Sequence, residues 1–299
     1  MKIAITFILG LGFLAVSLSF LLVYINTHPP THPLHIVPST YRADYEAIAF
    51  ISKDGTVLKG WLLKPLHDVE PAPAIIICHG VGANKSDFTE FGVHLSRRGY
   101  AVLLFDFRAH GESGGSRSSL GYHEQDDVLA ALGYLQTRRE VDSSCIGIYG
   151  FSMGGAAALL AAAKTDGFRA VAVDSAFTSL RDQARTAVTE FYHLPAWPFL
   201  PLAVLAYEIC FRTTIDAVSP VNEIAKISPV PVLVIAGGDD ELVPAENGQR
   251  LYEAAKEPKE LWTVPGAVHG GTLEVSGAAY EERISEFFDK YLRKHNAAR

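Results

Sequence analysis

The sequence predicts an α/β fold: a mostly parallel sheet with helices on both faces and one small helical insertion. Short, wholly apolar runs such as Pro73 to Cys78 and Tyr100 to Phe105 have the composition of strands buried on both faces. Stretches of helical period fall between them, and strands alternating with helices make a parallel sheet. The run Ile146-Gly147-Ile148-Tyr149-Gly150-Phe151-Ser152-Met153-Gly154-Gly155 joins an apolar strand to the alanine-rich stretch Ala156 to Ala163 through Gly-x-Ser-x-Gly. A serine on so tight a strand-to-helix turn is lifted above the sheet edge, and the flanking glycines keep side chains out of the bend.

In chain order, Ile3 to Ile25 is apolar and uncharged. That is about the twenty residues a helix needs to cross a bilayer. Residues 1–25 are therefore expected to form a transmembrane anchor. A cleaved signal peptide is the rival, but its apolar region would run about 7 to 15 residues before a small-x-small site. Here Ala15-Val16-Ser17 sits in mid-run. A core helix fits least well, since nothing polar marks a second face. Lys2 precedes the run and no Lys or Arg follows until Arg42. The positive-inside bias then puts the rest of the chain on the extracytoplasmic side of a single-pass membrane protein. Residues 26–43 form a linker in which Asn26 to Ser39, rich in Pro and His, reads as an extended tether. His28, His32 and His35 read as solvated, with no carboxylate or cysteine nearby to complete a metal site.

Residues 44–299 make the folded domain. Tyr45 to Ser52 and Val57 to Leu63 are strand-like runs around Asp54-Gly55, a hairpin signal. The strand Pro73 to Cys78 ends in His79-Gly80-Val81-Gly82, and a helix spans about Asp87 to Arg98 before Gly99. The strand Tyr100 to Phe105 leads into Asp106 through Gly115. Helix Glu124 to Arg138 aligns Val128, Leu129, Leu132 and Leu135. After the serine turn come strands at Ala170 to Val173, Val230 to Ala236 and Leu261 to Val264, with helices near Ala245 to Ala255 and Tyr280 to Leu292. Between Asp174 and Val230 the alternation breaks. Residues 177–217 are expected to form a helical cap, whose Phe191, Trp197 and Phe199 would suit an acyl chain, face a bilayer, or simply pack onto the core.

Composition narrows the function classes. Of 299 residues 48% are hydrophobic and 20% charged, enough for a full core. A net charge of −7 with no long basic run argues against nucleic acid as a partner. Three scattered cysteines, Cys78, Cys145 and Cys210, form neither a disulfide framework nor a zinc spacing.

A serine hydroxyl becomes a nucleophile only when a base takes its proton and a carboxylate orients that base. Downstream of Ser152, His269 lies in a glycine-rich loop beyond the last strand. It is the only histidine between His193 and His295. Asp239, Asp240 and Glu241 follow the strand ending at Ala236, and Asp174 follows the strand before it. Spacing leaves these acids open. The order Ser, Asp, His fits this architecture. A tetrahedral intermediate needs two N–H donors. Met153 at the helix start and Val81 in the loop after His79 are placed to supply them, while His79 itself is expected to hydrogen-bond within its loop.

These residues together resemble the α/β-hydrolase family, in the serine-hydrolase branch with serine aminopeptidases and monoacylglycerol lipase-like enzymes. The likeness covers roughly Tyr45 to Leu292. It rests on His79-Gly80, Asp106-x-Arg-x-His-Gly-x-Ser-x-Gly115, Gly150 through Gly154, Gly237-x-x-Asp-x-x-Val-Pro244 and Gly266-x-x-His269. The acid-loop pattern selects Asp240 over Asp239. Ala109 departs from a family position that often holds glycine. The resemblance implies a catalytic set of Ser152, Asp240 and His269, and hydrolysis of an ester, thioester or amide with no metal or organic cofactor. The expected substrate is a small molecule or lipid with an apolar acyl group. The alternatives are a peptidase acting on short peptides and a non-catalytic, membrane-anchored binding protein on the same fold.

Overall fold

The computed structural model describes residues 2–66 and 71–293. Residue 1 of the expected anchor, and residues 67–70 and 294–299 of the expected domain, lie outside the described residues.

The helix α1, Lys2–Thr27, comes first. The sheet follows: β1 Tyr45–Ile51, β2 Val57–Leu63, β3 Ala72–Cys78, then α2 Thr89–Arg97, β4 Ala101–Phe105, α3 Glu124–Gln136, β5 Val141–Phe151, α4 Met153–Ala162 and β6 Ala170–Asp174. Between β6 and β7 lie α5 Leu180–Thr186, α6 Ala196–Phe211 and the single turn α7 Pro220–Glu223. The chain then forms β7 Val232–Gly237, α8 Glu246–Ala254, β8 Lys259–Val264, α9 Thr272–Ser276 and α10 Ala278–Phe288. The eight strands lie in the order β1-β2-β4-β3-β5-β6-β7-β8. β2 runs antiparallel to β1 and β4, and every pairing from β4 onward is parallel.

The pleat explains the apolar runs. Along β3, Ile75 and Ile77 join a core beneath α2 and α10, with Phe91, Leu95, Ile284 and Phe288. Ile76 faces the other way, into a core with Val128 and Leu132 of α3, Leu159 of α4 and Leu251 of α8. A strand with helices on both sides has no polar face to show. Ile75, Ile76 and Ile77 are buried completely or nearly so, each side chain contributing about 1.5–3 kcal/mol by leaving water.

Two segments differ from the sequence reading. The expected helix from Asp87 opens as a 3-10 turn, Lys85–Phe88, because Asn84 and Asp87 cap each other's backbone N–H groups and set the start early. The linker is not a solvated tether. Asn84 Nδ2 donates to His32 O, His35 Nδ1 hydrogen-bonds Ser86 Oγ at 2.9 Å, and Leu34 and Val37 pack on the core. Composition conceals this docking, because a Pro- and His-rich stretch has no period from which a buried face can be read.

Within α1, Ala15, Ser19, Leu22 and Thr27 recur at helical spacing and turn inward, while Ile3, Leu9, Phe13 and Leu14 are exposed. The inward face lies along α6. At its end Thr27 O accepts the Ser118 N–H at 2.8 Å, and Asn26 Nδ2 donates to Tyr192 OH at 2.9 Å. The stretch Leu9–Thr27 is long and apolar enough to cross a membrane by length and composition. This N-terminal helix is a candidate membrane anchor.

Candidate active site

The register of the parallel strands builds the site. Gly150 on β5 sits beside Cys78 on β3, and Phe151 beside Asp174 on β6. On the far side, Gly237 at the end of β7 pairs with Val264 at the end of β8. The loops carrying His79, Ser152, Asp240 and His269 therefore all leave from the carboxyl ends of neighbouring strands, where open α/β sheets hold their ligands.

Ser152 occupies the turn between β5 and α4 with φ 52 and ψ −119, a region an L-residue adopts only under constraint. The glycines make that turn possible by close approach. A Cβ on Gly150 would stand 2.5 Å from Gly154 O, and one on Gly154 would stand 2.4 Å from both Cys78 O and His79 O. Both clashes are with backbone, so no rotamer change relieves them.

Ser152 Oγ lies 3.1 Å from His269 Nε2, and His269 Nδ1 lies 2.8 Å from Asp240 Oδ2. The tautomer satisfying both contacts carries its proton on Nδ1, donates to Asp240, and accepts from the serine hydroxyl. Asp240 Oδ1 takes the backbone N–H groups of Leu242 at 3.0 Å and Val243 at 2.7 Å, so the carboxylate is fixed at both oxygens. The acid and histidine loops interlock: Asp239 N–H donates to Ala267 O at 3.0 Å, and a Cβ on Gly237 would stand 2.5 Å from that oxygen. Ser152 and the Asp240 side chain are buried, while the imidazole is about one-fifth exposed.

Of the other sequence candidates, Asp174 is not the partner of His269. It is buried and accepts hydrogen bonds from Thr272 Oγ1, Tyr280 OH and Ser175 Oγ, while Tyr149 OH donates to Tyr280 at 2.7 Å. Burial holds the Asp174 carboxyl above the usual range, against those hydrogen bonds. Thr272 lies three residues beyond His269, so Asp174 ties the histidine loop to the strand next to that of Ser152. Asp239 and Glu241 remain exposed loop acids.

Met153 opens α4, whose first intrahelical bond is Ala156 N–H to Ser152 O. Its own N–H therefore belongs to the first turn, which a helix leaves without an internal acceptor. Gly80 lies against the same turn, since a Cβ there would be 3.3 Å from Ser152 Cβ. Val81, the next residue, is half exposed beside the serine.

The loop bearing Val81 is braced by His79, expected to hydrogen-bond within it, and by groups to which sequence reasoning gave no role. His79 Nδ1–H donates to Gly80 O at 2.7 Å, while Nε2 accepts the Phe107 N–H at 3.0 Å. His110 donates from Nδ1 to Arg108 O and accepts the Gly82 N–H on Nε2 at 3.1 Å. Burial, first of all, holds both imidazoles below their ordinary pKa, so they serve as neutral cross-links. Lys85, wholly buried, reaches Asp106 at 2.5 Å and Glu112 at 2.7 Å. Arg108 binds Asp127 through Nε at 2.9 Å and Nη2 at 2.6 Å, and also reaches Asp54. The Asp106-to-Gly115 motif is thus a scaffold for the loop beside Ser152. Ala109 within it has φ 58, which accounts for the glycine common at that family position. Among the described residues, no group of three or more His, Cys, Asp and Glu is gathered as a metal centre would be.

The chain is similar to known proteins in sequence and in fold. The model of the prolyl oligopeptidase family matches residues 87–295. The YqkD protein of Bacillus subtilis is 34% identical over 248 residues, 82% of this chain and 80% of that protein. The protein bem46 of Schizosaccharomyces pombe is 27% identical over 290 residues, covering 96% of this chain and 90% of its own. Among solved structures, an esterase of Pyrococcus furiosus superposes with a TM-score of 0.73 at 26% identity, over 90% of this chain and 99% of its own.

Proposed function

Because the chain belongs to the prolyl oligopeptidase family, within the α/β hydrolases, we propose that it is a serine hydrolase cleaving carboxylic esters or thioesters with an apolar acyl group. The observation that carries this reading is the continuous hydrogen-bonded chain from Ser152 Oγ through His269 to Asp240.

In the reaction, Ser152 Oγ attacks the substrate carbonyl as His269 Nε2 takes its proton. Asp240 holds the imidazole in the accepting tautomer and stabilises the imidazolium. The N–H groups of Met153 and Val81 receive the negative oxygen of the tetrahedral intermediate. Its collapse releases the alcohol or thiol, which leaves with the proton from His269, and the acyl group stays on Ser152. Water, deprotonated by His269, then attacks the acyl-enzyme; the acid departs and Ser152 recovers its proton.

The preference for an apolar acyl group is supported by exposed Val81, Leu242 and Val268 around the three side chains, and by the likeness to an esterase. Residues 177–217 act as a cap: Gln183 Nε2 donates to Leu242 O beside the acid, and Tyr207 OH to Ser119 O. The inward face of α1 on α6 supports an uncleaved anchor over a cleaved signal, and Lys2 ahead of the apolar run favours an extracytoplasmic domain.

A fluorophosphonate probe tests the reading. Wild type is expected to label and Ser152→Ala to lose labelling while keeping its thermal transition; equal labelling of the two would sink the assignment. The family favours a second reading, hydrolysis of short peptides. Esters of graded chain length assayed against peptide amides separate the two.

A further inference from the structure

We infer that the outer side of α6 is immersed in the hydrocarbon of the bilayer leaflet nearer the catalytic domain, so that the insertion over the active site is a membrane-embedded element. This rests on the reading of α1 as an uncleaved anchor.

The first argument is depth. At ~1.5 Å per residue, the apolar run Ile3 to Ile25 covers roughly 34 Å, a match to a hydrocarbon layer of about 30 Å. The half of that run nearer the domain starts close to Leu14. Among the residues whose burial is described, Ala15 is the first of α1 to turn inward, and α1 packs against α6. A helix lying beside the near half of a span shares its depth.

The second argument is composition. α6 has no charged residue from Ala196 to Tyr207. Trp197 is extended, so the regular helix starts at Pro198. From there Pro201, Leu205 and Ile209 follow at four-residue spacing and form one exposed side. Trp197, just before them, is 80% exposed. In water such a side would be an uncovered apolar patch of the kind that marks an interaction site. It borders the exposed Phe20 and Leu21 of α1, which line one groove with Cys210 of α6. The first acid, Glu208, turns to the protein and accepts the Ile215 N–H at 3.1 Å. The cations stand at the carboxyl end of α6, where exposed Arg212 follows the helix and Arg117 sits over the Phe211 ring, 4.9 Å from its centroid. That is where long basic side chains reach the headgroup level. A helical backbone satisfies its own polar groups, so immersion leaves none stranded.

Trp197 is a built-in reporter. Trp61 is buried and Trp262 half-buried on β8. The full chain is reconstituted into dioleoyl phosphatidylcholine vesicles and, in parallel, into vesicles whose acyl chains carry bromine, which quenches tryptophan on contact. The emission that distinguishes wild type from Trp197→Phe is expected to be lost in brominated lipid and untouched by aqueous iodide. Loss of that emission to iodide, with none to brominated lipid, overturns the inference. Vesicle flotation after an alkaline carbonate wash reports on α1 separately. A chain that floats with Trp197 open to iodide keeps its anchor and rules out an immersed α6. A chain that fails to float removes both.

Discussion

Replacing Asp240 by asparagine removes one charge and almost no volume. The structure dictates how the new side chain sits. Oδ1 takes the Leu242 and Val243 N–H groups, so the amide oxygen stays there and the NH2 group turns to His269. Nδ1 must then accept, the ring proton moves to Nε2, and Nε2 can no longer receive the Ser152 proton. The imidazolium formed during attack also loses its counter-charge. Unit charges 2.8 Å apart at an effective dielectric of about 20 attract by about 6 kcal/mol, or about four powers of ten in rate. Asparagine in place of the acid of such a triad costs about 10⁴ in kcat. We therefore expect kcat for p-nitrophenyl esters to fall about 10⁴-fold in Asp240→Asn, with an unchanged thermal transition. Asp239→Asn and Glu241→Gln, outside the hydrogen-bonded chain, are expected to match wild type. An Asp240→Asn enzyme within about tenfold of wild type, a loss of only ~1.4 kcal/mol, would refute the tautomer argument.

Three further outcomes follow from the packing. Gly154→Ala puts a methyl group 2.4 Å from two backbone oxygens; a loss of about 1–3 kcal/mol or more, read as a lower urea midpoint, should accompany weaker probe labelling as Met153 shifts. Lys85→Met leaves the buried Asp106 carboxylate without its cation and is expected to cost about 3–5 kcal/mol; an unchanged midpoint would show the pair to be dispensable. His79 and His110 have folded-state pKa values below the ordinary value because they are buried. The unfolded chain therefore binds more protons below about pH 6.5, and stability present above that pH is lost on acidification by up to ~1.4 kcal/mol per pH unit for each histidine. Asp127 and Asp174, held high by burial, act with the opposite sign at lower pH. Urea midpoints at pH 7.5 and 5.5 check the direction; a higher midpoint at 5.5 contradicts it.

How much of this was legible in the sequence depends on the range of each interaction. Strands such as β3 announce themselves because burial on both faces leaves no polar residue, and the serine turn because glycines must flank it. Which of Asp239, Asp240 and Glu241 meets His269 depends on a loop bend set by the Leu242 and Val243 N–H groups, so spacing alone left it open. The exchange of β3 and β4 in the sheet order has no local signature. Nor has the Tyr149, Tyr280 and Asp174 network, whose partners are more than a hundred residues apart in the chain. The Asp106-to-Gly115 segment was visible as a motif, but its work of holding Lys85, Gly82 and Asp127 emerges only once three loops come together.

The junction of the first helix with the turn at Ser118 has a practical side. Thr27 receives the Ser118 N–H, and the Ser118 hydroxyl rests on Met153 Sδ at 3.4 Å. Trimming the chain ahead of His28 would do more than remove a candidate membrane anchor. It would strip α6 of the neighbour that Leu22 and Val23 provide, expose a greasy strip prone to self-association, and loosen the turn next to Met153. Kinetics measured on such a fragment would describe a roof without its beam, and whole-chain preparations are the fair basis for comparing substrates.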